Sequence, residues 1–132
     1  MKYFVAYIST TVIFLAIDAL WLGIVAKNFY AEQLGDLMAK NIKFHIAAVF
    51  YLVYTIGIVV FAIAPALHAD RTLLAIGYGA LFGFLAYGTY DFTNMATIRD
   101  WPTLVSVVDI IWGTCITSFS ATLGYLVTRH FS

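Results

Sequence analysis

Asp18, Asp91 and Asp109 each interrupt a stretch that is otherwise apolar enough to cross a membrane. A carboxylate in hydrocarbon costs roughly 2.5 to 3.5 kcal/mol on insertion scales, so such a residue needs a partner, a proton or a wet cavity. Acids gathered in one such place can hold and pass protons, which is the chemistry of proton coupling or of acid–base catalysis. Around them the spacing is helical. Gly79, Gly83, Tyr87, Asp91 and Asn94 recur at intervals of three or four and share one stripe, running from small to polar. Ser106, Asp109, Gly113, Thr117, Ser120 and Gly124 form a second stripe, too polar to face lipid. Thr11, Phe14, Asp18 and Trp21 share a third face, and the pair Asp-x-x-Trp occurs twice, as Asp18–Trp21 and Asp109–Trp112. Trp21, Trp112, Tyr87 and Tyr90 are placed to stack on a cationic or amphiphilic ligand; the competing role is interfacial anchoring.

The elements that must carry these residues follow from length and hydropathy. Four apolar blocks lie at about 3–26, 44–64, 72–95 and 103–128, each long enough to cross a hydrocarbon core of about 30 Å as a helix. Helices are required because an isolated strand would leave its backbone groups unpaired in lipid. Pro65 is expected to close the second span, and Pro102 suits the first turn of the fourth. The connection from Lys27 to Lys43 has Phe29, Tyr30, Leu34, Leu37 and Met38 at helical spacing among Lys27, Glu32, Asp36 and Lys40, which predicts a short interfacial helix. The other connections are tight, so the expected fold is all-α: a single-domain, up-down bundle of four transmembrane helices.

In that topology the first and third connections share one membrane face. Counted back along helices at 1.5 Å per residue, the three aspartates lie roughly 6 to 12 Å below it. The alternative places Asp91 and Asp109 in the interface, reaching water or Arg99, and a further one has the acids merely fixing helix register through Tyr, Asn, Ser and Trp donors. Lys2, Arg71 and Arg129 mark one side, and Lys27, Lys40, Lys43 and Arg99 the other. This leans towards an outside N-terminus, and its near balance also admits dual topology and an antiparallel homodimer.

Composition excludes several classes. The 132 residues are 63% hydrophobic and 11% charged, against about a quarter charged in soluble domains. The initial Met1-Lys2 and apolar run resemble a signal peptide, but the run is too long, carries Asp18 and lacks a clear cleavage site, so it reads as a retained span. Seven scattered Lys and Arg with zero net charge give no stripe for a nucleic acid. His45, His68 and His130 lie apart without metal-ligand spacing, so no metal site is expected. Cys115 falls within the last span and reads as a buried packing thiol. With no phosphate loop, dinucleotide fingerprint or nucleophile elbow, no cofactor is expected.

The run from Tyr87 through Asp91, Asn94 and Arg99 to Asp100-Trp101-Pro102, with Asp18, Trp21, Asp109 and Trp112, resembles the signature of a bacterial family of small, uncharacterised inner-membrane proteins. That resemblance implies a free-standing, multi-pass four-helix protein of the bacterial cytoplasmic membrane and assigns no activity.

The residues themselves point to an acidic, aromatic-lined intramembrane pocket for a small amphiphile or lipid, moved with proton coupling. Asp91 is the expected ligand or proton site. Asp18 and Asp109 would share its charge, Tyr87 and Asn94 would orient the ligand, and Trp21 and Trp112 would form walls. Two rivals stand beside this: a membrane-embedded enzyme using paired aspartates on a lipid or isoprenoid, and a non-catalytic subunit whose acids meet basic groups on another membrane protein.

Overall fold

The computed structural model of the chain describes residues 1–39 and 43–131. Lys40, counted above in the loop helix and in the charge balance, lies outside the described residues. The four spans are α1 (Lys2–Val25), α3 (Phe44–Ala69), α4 (Thr72–Thr97) and α5 (Thr103–Phe131). The expected interfacial helix is α2 (Lys27–Leu34), followed by a 3₁₀ turn at Gly35–Leu37. It is shorter than the pattern through Met38 predicted, because Gly35 takes φ 51° and breaks the α-helical course. In lipid these helices need no special propensity: a closed backbone hydrogen-bond ladder is enough to select them.

The second span differs from expectation in an informative way. Pro65 does not end it; the helix runs on to Ala69. A proline has no N–H for the carbonyl of Phe61, and its ring crowds that carbonyl. The preceding segment Val59–Ile63 widens into a π-helical turn, which gives the ring room, and Pro65 then occupies the first turn of the resumed α-helix. The helix stops instead at Asp70, which is left-handed (φ 54°), with the Arg71 N–H donating back to the Ala66 carbonyl at 3.1 Å. Pro102 also lies just outside its helix, which begins at Thr103 after the left-handed Asp100 (φ 63°).

The spans form an up-down ring in which α1 packs on α3 and α5, and α4 packs on α3 and α5. The α4–α5 contact is the most extensive, and its sequence cause is the Gly79/Gly83 pair. A Cβ at Gly83 would lie 2.5 Å from the Gly113 carbonyl oxygen and 2.7 Å from Thr117 Cβ. Only glycine there lets the two backbones meet. Phe14, Ile58, Ile63, Ile116 and Tyr125 fill the centre, while Phe4, Phe50, Phe61, Phe84, Ile111 and Phe119 point outward. Apolar side chains on the outside and hydroxyls within fit a bundle whose solvent is lipid. Cys115 corrects its expectation: it is exposed on the outer face. It lies two residues from both Gly113 and Thr117, about 200° around the helix, so the face that buries them turns Cys115 towards lipid.

Candidate functional site

Each inward stripe delivers its acid to the same end of the bundle. On α1, Thr11, Phe14 and Asp18 are buried together. On α4, Gly79, Gly83 and Asp91 are buried. On α5, Ser106, Gly113, Thr117, Ser120 and Gly124 are buried, and Asp109 is half-buried beside them. Burial of Asp91 rules out the reading in which it reaches water at the interface.

The acids are satisfied very unequally. Asp18 Oδ1 accepts the indole N–H of Trp112 at 3.1 Å, and the Tyr51 hydroxyl lies beside the same carboxyl. Asp109 Oδ1 accepts the Tyr30 hydroxyl at 2.9 Å, and that hydroxyl in turn accepts the indole N–H of Trp21 at 3.2 Å. Trp21 and Trp112 stack with centroids 4.2 Å apart and planes 8° from parallel. The two Asp-x-x-Trp pairs therefore serve each other: the tryptophan of α5 feeds the acid of α1, and the tryptophan of α1 feeds the acid of α5 through Tyr30. With one ring lying on the other, the indoles are a single slab beside the acids rather than facing walls with a ligand gap between them.

Asp91 is the exception. Its side chain is 0% exposed, and among the described residues no N–H or hydroxyl donates to either carboxyl oxygen. The Asp109 carboxyl lies within side-chain hydrogen-bond reach of it, so the two acids can bond each other only when one of them carries a proton. Ser106 holds only the backbone here, donating to the Asp91 carbonyl at 3.2 Å while accepting the Trp101 indole N–H at 2.9 Å. None of the ion pairs formed among the described residues involves these acids; the Arg129–Asp70 pair, at 3.1 Å, belongs to the opposite end. Among the described residues no group of three or more His, Cys, Asp or Glu is placed to hold a metal ion.

The aromatic residues divide. Tyr87 lies at the centre, its hydroxyl within electrostatic reach of Asp18, Tyr54, Tyr51 and Asp109, and its ring rests on Gly113. Tyr90 is 56% exposed and stands edge-on to Trp101, with Asn94 beside it, so this pair sits at the rim. Tyr30 and Tyr51 were not expected at the site. Tyr51 was legible, since Tyr51, Tyr54, Thr55 and Ile58 fall at i, i+3, i+4 and i+7 on one face. Tyr30 was not, because its reach depends on how α2 folds over the end of the bundle.

Burial, reinforced by the Asp109 carboxylate, pushes the Tyr30 hydroxyl above the usual tyrosine range, so it remains a donor. Tyr30→Phe should remove both of its hydrogen bonds, cost about 1 kcal/mol and alter the emission of the stacked indoles. Tryptophan fluorescence and a melting curve in detergent check this; unchanged spectra and stability would mean that α2 does not hold Trp21 and Asp109 together.

Residues 3–126 match the family described as predicted membrane protein (DUF2177). No curated protein and no solved structure matches the chain.

Proposed function

We propose that this chain, which belongs to the DUF2177 family of predicted membrane proteins, receives the cationic end of a small amphiphile at Asp91 and Asp109 and moves it in exchange for protons. One observation supports the reading: a fully buried carboxyl that no N–H or hydroxyl serves sits against a second acid, and among the described residues no basic side chain is paired to either. Such a pair calls for neutralisation, by a proton held between the carboxyls or by a cation. Competition of proton and cation for the same carboxyls is the requirement of an exchanger. Asp18, already served by Trp112 and Tyr51, holds the slab of indoles in place. Tyr87 orients the ligand from the centre, and Tyr90 and Asn94 guard the rim.

The test is gentle extraction followed by mass spectrometry of bound small molecules from wild type and Asp91→Asn, with circular dichroism to confirm that both are folded. A molecule carried by wild type and lost from the variant supports the site and gives its chemical class. Equal occupancy in both would sink the reading. The adjacency of Asp91 and Asp109 also favours a second function, a membrane enzyme in which they act as general acid and base on one reacting atom. It separates cleanly: an enzyme converts the captured molecule in detergent, whereas an exchanger leaves it intact and needs a sealed bilayer.

A further inference from the structure

A row of buried hydroxyls starts at the acid cluster and follows the inner face of α5 to the far side of the bundle. Tyr87 stands edge-on to Tyr54, ring centroids 6.2 Å apart, and is within electrostatic reach of Asp109. The Tyr54 hydroxyl and Thr117 Oγ1 are 2.8 Å apart. Ser120 is the next inward position on α5, three residues on, and is fully buried. Beyond it Thr10 of α1 puts its hydroxyl in the space beside Gly124, where a side chain on that residue would have to go. Thr128 Oγ1 donates to the Gly124 carbonyl at 2.7 Å, and the hydroxyl of buried Tyr125 reaches Asp70 Oδ1 at 3.4 Å, beside Arg129 at the opposite face. From Asp109 to Thr128 the helix rises about 28 Å, close to the hydrocarbon thickness.

Two members of the row have unused bonding capacity. Thr10 Oγ1 and Ser120 Oγ are buried without hydrogen-bond partners, while Thr114, Thr122 and Thr128 on the same helix bond back to their own helix. Register-fixing contacts would not leave Thr10 and Ser120 open, since a buried unpaired hydroxyl is a cost. Thr10 and Ser120 are fully buried, out of reach of a hydrated ion arriving from either face. A proton needs no such access, because it moves by relay.

We infer that this row is a proton route joining the Asp91–Asp109 cluster to the Asp70–Arg129 face. Each oxygen accepts an incoming proton and releases its own hydrogen to the next oxygen or to an intervening water, so every hydroxyl ends as it began and no bond order or oxidation state changes. The inference rests on the proposed exchange function and supplies its second half, the connection of the acids to the side from which their ligand does not enter.

The experiment uses the full chain in phosphatidylcholine–phosphatidylglycerol vesicles containing a pH-sensitive dye, with a potassium diffusion potential set by valinomycin. Wild-type vesicles should acidify faster than protein-free ones. Ser120→Ala and Thr10→Val should each slow that excess rate about tenfold, because each removes one oxygen through which the relay passes. Thr122→Val, whose hydroxyl bonds the Ser118 carbonyl away from the row, should not change it. If Thr117→Val misfolds through loss of its Tyr54 bond, Ser120→Ala and Thr10→Val still decide the matter. No excess rate in wild type, an excess rate indifferent to Ser120 and Thr10, or one indifferent to Asp91→Asn each overturns the route. Ligand retention by Ser120→Ala separates the two proposals: retention with slowed protons supports both, and retention with unslowed protons removes the route and leaves the site.

Discussion

Asp91→Asn should make the protein more stable, by about 1 kcal/mol or more, while emptying its ligand site. A buried polar group without a donor costs roughly 1–3 kcal/mol, and Asp91 faces a second carboxyl that can bond it only when one of the two holds a proton. Asparagine keeps the volume, cannot carry the charge, and offers an amide that can donate towards Asp109. A raised melting temperature in detergent with lost occupancy is the signature of a residue whose placement serves activity at the expense of stability. Asp18→Asn is the contrasting case. Its carboxyl already accepts from Trp112 and lies beside Tyr51, so the substitution weakens an existing contact and should lower the melting temperature slightly. If Asp91→Asn instead melts lower than wild type, the acid is a structural member of the bundle and the exchange proposal loses its main support.

Gly113→Ala should be among the most damaging small substitutions in the chain. The added methyl would fall on the ring carbons of Tyr87, the residue at the centre of the acid cluster. Alanine improves helix propensity by up to about 1 kcal/mol, but forcing a packed ring aside costs typically about 1–3 kcal/mol, so overpacking wins. Gly77→Ala is the control: nothing lies within 4 Å of its added methyl, and it should be neutral or stabilising. Melting curves of the two variants should move in opposite directions or differ clearly in size. In a Tyr87→Ala background the Gly113 penalty should largely vanish, because the clash has no partner. A Gly113 penalty that survives there would show that the ring does not pack on this glycine.

The four helices long and apolar enough to span, and the burial of Asp18 and Asp91 on their inward stripes, were legible in the order of residues. Helices in lipid are dictated by backbone satisfaction, and a polar stripe at intervals of three and four can only face inward, so Asp18, Asp91 and the Ser106–Gly124 row were placed by arithmetic. The Gly79/Gly83 pair likewise announced the close contact of α4 with α5. Local chemistry misled at Pro65, where a proline was expected to stop a helix and a π-helical turn lets it continue. Cys115 was misread because a position inside a span says nothing of which face it turns outward. The tertiary structure alone decided who partners whom. Trp112 reaches across to Asp18, Tyr30 descends from α2 onto Asp109, the indoles lie on each other, and Asp91 is left against the Asp109 carboxyl with no N–H or hydroxyl among the described residues to serve it. Periodicity fixes the face on which a side chain lies, but hydrogen bonds are made over about 3 Å, and that distance depends on the angle and depth at which separate helices pack.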